Sequence, residues 1–298
     1  MKRISTVVME SYRLAQYAES LSCYLCGEDN GFDWVRCHYC HAPLSLAQSA
    51  KKRREIRLLT AVGSPGCGKT SLLGAMMELL TRPGHEVQLR VCNSLSLSLQ
   101  ESTLISLSQG TFPAATQMEP EHWNWVHCEL RKGKKNPVDL VLPDLSAQTI
   151  LEEWDYPGRH SVVRGSLTRS SGLLLLLDST RLVAGDRSEE FSAIKTVSYL
   201  CELNGHRRLG WPGRPVAIVL TKVDELGRID HPQQFLSDLA PLFWDLCSER
   251  LRQVEVFTTS IVGAVGQRFA GEDAQTVPLR VEPSGVLAPF DWLTASLL

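Results

Sequence analysis

A chain of 298 residues, 43% hydrophobic and 21% charged, can bury a full core and has room for one large or two small domains. Its formal net charge of -2 argues against whole-molecule attraction to nucleic acid or acidic lipid. No apolar run nears the ~18 residues that cross a bilayer. Glu10, Ser11 and Arg13 also spoil the N-terminus as a secretory signal, so a cytoplasmic location is expected. Of nine cysteines, four form two tight pairs and five are scattered. In that compartment the pairs point to metal and the singles to reduced thiols.

Residues 1–22 alternate apolar and polar in the manner of one helix. Residues 23–43 form a cysteine module in which CYLC and CHYC place Cys23, Cys26, Cys37 and Cys40, with GEDNGFDWVR between the pairs. Two C-x-x-C pairs on facing turns supply four thiolates, a set suited to tetrahedral Zn²⁺ at ~2.3 Å per ligand. Asn30-Gly31 is the expected hairpin turn, and metal would supply the folding energy of so small a module. An iron centre or a redox dithiol is the alternative. Four cysteines close the site, which leaves His38 and His41 as solvated or supporting neighbours. Residues 44–55 are a polar linker with the basic run Lys51, Lys52, Arg53 and Arg54. The module reads as a cap or protein contact. A nucleic-acid surface is less favoured, because Tyr24, Trp34 and Tyr39 are few for base stacking.

From residue 56 to 298 strands and helices alternate. IRLLTAV is a buried strand, TSLLGAMMELL a helix, EVQLRVCN a strand and SLSLQESTLISLSQG a helix. HWNWVHCELR and VDLVLPD form a hairpin across KGKKNP. GLLLLLD is a strand, SEEFSAIKTVSYLCEL a helix and RPVAIVLT a strand. PQQFLSDLAPLFWDLCSERL is one helix, and QVEVFTT is the last strand. Continuously apolar strands are parallel strands covered on both faces. The expected fold is a three-layer α/β domain with a mixed, mostly parallel sheet.

Three motifs carry chemistry. GSPGCGKTS, Gly63 to Ser71, fits the phosphate loop G-x-x-x-x-G-K-[ST] between a strand and a helix. Gly63, Gly66 and Gly68 let the backbone N–H groups curl toward phosphate oxygens, with Ser64, Pro65, Cys67 and Ser71 completing the cradle. The helix N-terminus adds its positive end. Lys69 would reach the β- and γ-phosphates, and Thr70 would ligate Mg²⁺. Cys67 reads as an inert loop residue rather than a redox sensor. In LVLPDLSAQ, Asp144 ends an apolar strand and suits the acid that holds Mg²⁺ through water; Gln148, four residues on, suits orientation of an attacking water. In TKVD, Thr221 to Asp224, the carboxylate can accept from both N1–H and the N2 amine of guanine, a pairing adenine does not offer. The Lys222 stem can lie along the base.

With these motifs in order, the chain resembles the Ras-like and translation-factor class of P-loop GTPases. GSPGCGKT matches the first family motif, DLSAQ the third and TKVD the fourth, while TTS, Thr258 to Ser260, stands where the family's base-contacting S-A-K loop lies. The likeness covers roughly residues 56 to 262. LSQGTFPAAT, PDLSAQ and GVLAPFDWL are further similar to a bacterial double-GTPase clade of multi-component conflict systems. The resemblance implies GTP or GDP with Mg²⁺ as ligands, and a switch threonine at Thr116, with Thr111 as the alternative. It implies Gln148, Lys69 and Thr116 as catalytic groups and Ser260 at the base. Protein partners would meet the switch face and the cysteine module.

Two departures stand out. Ala147 replaces the third motif's glycine, whose N–H meets the γ-phosphate, and VGAV after TTSI does not read as S-A-K. The expected function is a GTP-hydrolysing switch, slow without a partner. The alternative is a nucleotide-loaded scaffold with weak or no hydrolysis. Arg159, Arg164 and Arg169 are candidates for a charge-stabilising arginine.

Overall fold

The computed structural model describes residues 20–47, 55–84, 87–132, 137–203, 213–270 and 273–295. The expected N-terminal helix lies almost wholly outside these residues, as do Lys51 to Arg54 and the Gly133 turn.

In the cysteine module, β1 (Leu21–Ser22) pairs antiparallel with β2 (Asp29–Asn30), and the turn between them carries Cys23 and Cys26. A second turn, closed by an Arg36–Pro43 bridge, carries Cys37 and Cys40. The two turns are built alike. In each, the first cysteine's N–H donates to a carbonyl five residues on, Cys23 to Glu28 at 2.8 Å and Cys37 to Ala42 at 2.9 Å. The N–H four residues on donates back, Gly27 to Cys23 at 3.0 Å and His41 to Cys37 at 2.9 Å. That fourth position is left-handed in both, with φ 82 at Gly27 and φ 60 at His41. The hairpin turn is therefore Cys23 to Glu28, not Asn30-Gly31. Asn30 is buried; its amide donates to Glu28 O at 2.7 Å, and its Oδ1 accepts from His38 N at 3.0 Å. It ties one turn to the other, which an exposed turn tip would not allow.

The remaining strands are β3 (Ile56–Gly63), β4 (Val87–Val91), β5 (Trp125–Lys132), β6 (Val138–Pro143), β7 (Ser170–Asp178), β8 (Val216–Thr221), β9 (Val254–Thr258), β10 (Ala264–Ala270) and β11 (Asp273–Arg280). The described helices are α1 (Lys69–Thr81), α2 (Ser94–Ser108), α3 (Ala147–Asp155), α4 (Ser161–Arg169), α5 (Ser179–Val183), α6 (Arg187–Leu203), α7 (Pro232–Leu239), α8 (Pro241–Arg250) and α9 (Ala288–Ala295). Seven strands form one sheet in the order β4-β5-β6-β3-β7-β8-β9. Neighbours from β6 to β9 run parallel, and β5 is antiparallel to both β4 and β6.

Alternation explains the leucine run. Leu173, Leu175 and Leu177 point into the layer of α3, α4, α6, α7 and α8, whereas Leu174 and Leu176 point into that of α1, α2 and α9. A strand buried on both faces needs apolar residues at every position. The expected three-layer α/β fold is what forms. Among the described residues no helix is long and apolar enough to cross a membrane.

Two elements differ from expectation. The long helix after β8 breaks at Ala240 (φ -135, ψ 63), because Pro241 lacks an N–H and pushes its predecessor out of the helical region. After β9 the chain also adds a separate antiparallel arm, β10 with β11, whose base is held by the Ser260–Ser284 bridge.

The cysteine module is docked on α4. Leu25, Leu44 and Leu46 share one apolar cluster with Leu58, Val163 and Leu167. Arg169 Nε donates to Leu25 O at 3.1 Å, and its guanidinium lies 5.2 Å from the centre of the Tyr24 ring. The approach is close at Gly165, where an added Cβ would stand 3.0 Å from Leu25 O.

Candidate functional site

The carboxyl ends of the parallel strands deliver the sequence-predicted groups to one edge of the sheet, where open α/β sheets place their ligands. Gly63 closes β3, and the loop from Ser64 to Gly68 leads into α1, whose first residues are Lys69, Thr70 and Ser71. Gly66 (φ 79) and Gly68 (φ 91) hold left-handed backbone that a side chain would strain. Lys69 is buried, and Cys67 is sealed off at 1% exposure. Burial pushes the Cys67 thiol up to about 11, which makes it a poor thiolate and suits the inert reading.

Three oxygen-bearing side chains converge beside this loop. Thr70 Oγ1 lies 3.2 and 3.1 Å from the two Asp144 carboxylate oxygens and 3.0 Å from Thr116 Oγ1. Thr116 Oγ1 donates to Asp144 Oδ2 at 2.9 Å. Neighbouring ligands of an octahedral ion with 2.0–2.1 Å bonds sit about 3.0 Å apart, so the set has the spacing of a Mg²⁺ shell. Burial raises the Asp144 carboxyl above its ordinary value, with Lys69, Thr116 and Thr70 pulling the other way. Thr111 is elsewhere, its hydroxyl donating to Ser106 O at the end of α2 at 3.0 Å.

Gln148 is the second residue of α3 and is exposed toward the same cleft, beside Ala147 and Ser146. The three candidate arginines point away from it. Arg169 holds the cysteine module, Arg159 pairs with Glu152 at 3.5 Å, and Arg164 lies against Gly158.

At the other end of the cleft Thr221 closes β8, its hydroxyl donating to Leu177 O at 3.1 Å. Lys222 adopts left-handed backbone (φ 58), which starts the one-turn 3₁₀ helix Val223–Glu225 and presents Asp224 to the cleft. Burial raises the Asp224 carboxyl, partly offset by its own backbone and Lys222, so two N–H donors reaching it would offset a real desolvation cost. Ser260 lines the same space, its backbone exchanging both hydrogen bonds with Ser284 at 3.0 and 2.9 Å.

The cleft joining these ends measures about 740 Å³ and runs from Lys69 to Asp224 without a break. Sequence reasoning missed several of its walls. Phe112 and Met118 come from the segment before β5, and Val265 and Thr276 from the arm. It also missed Asp178 at the end of β7. Lys222 Nζ donates to Asp178 Oδ2 at 2.6 Å, and Asp178 Oδ1 accepts from Thr180 N at 3.0 Å to cap α5. The available signal was the pattern itself, an apolar strand ending on aspartate as β6 nearly does at Asp144.

In the cysteine module, Sγ atoms of Cys23 and Cys40 are 3.6 Å apart, as are those of Cys26 and Cys37, and all four lie within 4.8 Å of one another. A tetrahedron with 2.3 Å arms has edges of about 3.8 Å. Four thiolates at this spacing fit a single Zn²⁺.

No curated protein gives a significant match. Among solved structures the chain is similar to Methanosarcina barkeri Roco2 RocCORdC bound to GDP, with 17% identity and a TM-score of 0.35. The alignment covers 69% of this chain and 43% of that one, so the chain spans less than half that protein's length. The family model described as Double-GTPase 2 matches residues 57–266, more than two thirds of the sequence and all three phosphate- and base-facing motifs. The chain belongs to the Double-GTPase 2 family.

Proposed function

We propose that the cleft binds GTP with Mg²⁺ and hydrolyses it, and that the protein works as a nucleotide switch within a multi-protein system. The observation that carries this reading is the convergence of Thr70, Thr116 and Asp144 beside Lys69, with Asp224 at the far end of the same cleft. The amides of residues 64–69 cradle the phosphates, and Lys69 neutralises the β and γ oxygens. Thr70 and Thr116 hold Mg²⁺ with Asp144, directly or through the ion's own water. When bound, the ion neutralises charge on the transferred phosphoryl group. Gln148 orients the attacking water. Thr116 and Gln148 lie on the segments on either side of the γ-phosphate position, so loss of that phosphate releases both. Asp224 reads guanine, and Thr221, Lys222 and Ser260 shape its pocket.

Among the described residues no arginine lines the cleft, so turnover is slow until a partner supplies one. A role in bacterial conflict follows the family resemblance, and a cytoplasmic setting follows the N-terminal sequence, which makes a poor secretory signal. Residues 23–43 form a zinc module docked on the domain that begins at residue 56, and the module and the switch face are the protein-contact surfaces. Multiple-turnover phosphate release tests the assignment. Lys69→Ala should abolish it and Gln148→Leu should reduce it at least tenfold; unchanged rates in both would refute the catalytic roles. Zinc is tested by metal analysis of the purified chain, with one equivalent expected and none after Cys23→Ser with Cys37→Ser.

Ala147 supports a second reading, a nucleotide-loaded scaffold. It keeps the N–H at the third motif but not the positive-φ freedom of glycine. GTP still intact in the protein after days at 25 °C would favour the scaffold.

A further inference from the structure

A buried glutamate lies under the phosphate loop, where negative charge works against the loop's task. Glu189, on α6, is 1% exposed. Its Oε2 accepts from Ser64 Oγ at 2.6 Å, and its Oε1 accepts from Asp178 N at 2.8 Å. A glutamine could still accept from Asp178 N and turn its NH2 to donate to Ser64 Oγ, without the charge, so the charge needs its own explanation. Arg181, on α5, faces it. One guanidinium nitrogen is 3.5 Å from Glu189 Oε2 and 3.3 Å from Ser64 Oγ, and Nε is 3.7 Å from Asp178 Oδ2. The same guanidinium stands 3.5 Å from where a Cβ on Gly66 would be. Asp178 Oδ2 in turn holds Lys222. Ser64, Glu189, Arg181, Asp178 and Lys222 thus form one unbroken polar chain from the phosphate end of the cleft to its base end.

We propose that Arg181 is a positioning residue for the nucleotide, cancelling the Glu189 charge beneath the phosphate loop and tying that loop through Asp178 to Lys222. The inference rests on the nucleotide reading of the cleft and goes beyond the three family motifs, none of which contains Arg181 or Glu189. A planar guanidinium suits the task because its forked donors engage Glu189 and Asp178 on two sides at once. Take it away, and an uncompensated carboxylate faces the phosphates across the thickness of the loop, at low effective dielectric.

The test is GDP titration into the full-length, metal-replete chain. Arg181→Ala should weaken GDP at least tenfold, and adding Glu189→Gln to it should restore affinity to within about threefold of the parent. Were Arg181 only a structural prop, the double variant would bind no better than the single one. Glu189→Gln alone, which can still accept from Asp178 N and donate to Ser64 Oγ, should bind GDP at least as tightly as the parent. Arg181→Ala within twofold of the parent, no recovery in the double variant, or a tenfold loss in Glu189→Gln would each overturn the proposal. A parent chain that fails to bind GDP would overturn the nucleotide reading and this inference with it. A parent that binds, with Arg181→Ala unchanged, would sink this inference alone.

Discussion

The two ends of the cleft are built by different means. At the phosphate end, Lys69 is buried, and Thr70, Thr116 and Asp144 already engage one another at 2.9–3.2 Å. At the base end, Asp224 stands half-buried on a single 3₁₀ turn, and Lys222 takes a backbone conformation uncommon for a side-chain-bearing residue. One end is a locked oxygen cluster hung from strand ends. The other is a short loop whose shape depends on neighbours, chiefly Asp178. The difference teaches that a short motif announces each end, while distant groups finish it: Thr116 and Asp144 at the phosphate end, Asp178 at the base end.

The largest effect that would sharpen this contrast belongs to Asp224→Asn. Removing this half-buried acceptor of two donors should cost GTP roughly a hundredfold in affinity. Xanthosine triphosphate should gain, because the amide donates to its C2 carbonyl. Competition binding with both nucleotides checks this, and GTP affinity indifferent to the change would break the assignment of the base end. Next comes Thr116→Ala, which subtracts one oxygen from the locked cluster and should slow hydrolysis by about tenfold while leaving GDP affinity nearly intact. Thr111→Ala serves as its control, since that hydroxyl only bonds Ser106 O. Equal losses in the two variants would dissolve the distinction between them.

The smallest effect tests how Asp178 supports the base end. Burial alone would raise its carboxyl, but hydrogen bonds from Lys222 and Thr180 outweigh that and hold it below the usual carboxylate range. A depressed folded value gives stability that is complete above the unfolded pKa of about 4 and is lost as pH falls through the folded value. Lys222 is half-exposed, so Asp178→Asn should cost only about 1 kcal/mol at pH 7. Denaturant melts of both chains should draw together as pH falls below ~4 and meet only below the depressed folded value. A gap that persists there would assign the loss to packing rather than charge.

Legibility divides between what a short motif carries and what distant residues add. Strands with apolar residues at every position, the phosphate loop and TKVD carry their signal within ten residues, so periodicity and motif suffice. Thr116 is different. Its neighbour Thr111 satisfies the same residue-type rule, and only the path of the chain after α2 separates them. Arg181 and Glu189 meet Ser64 from 117 and 125 positions away, on two helices, and Asp178 joins them from a strand end. No local pattern encodes that meeting. Pro241 did announce the helix break, since a proline inside a helical run is a standing stop signal. The arm escaped because Gly266 and Pro278 interrupt its alternation. In the cysteine module the spacing revealed the sulfur cluster, but NG was misleading as a turn because Asn30 is spent holding two turns together.

The docking of residues 20–47 on α4 has a practical consequence for anyone trimming the chain. Leu25, Leu44 and Leu46 share one buried apolar cluster with Leu58, Val163 and Leu167, so a fragment cut at residue 57 would keep every nucleotide motif yet uncover part of that cluster. Fresh greasy surface of that kind drives clumping. A trimmed chain that keeps residues 20–47 keeps that surface covered.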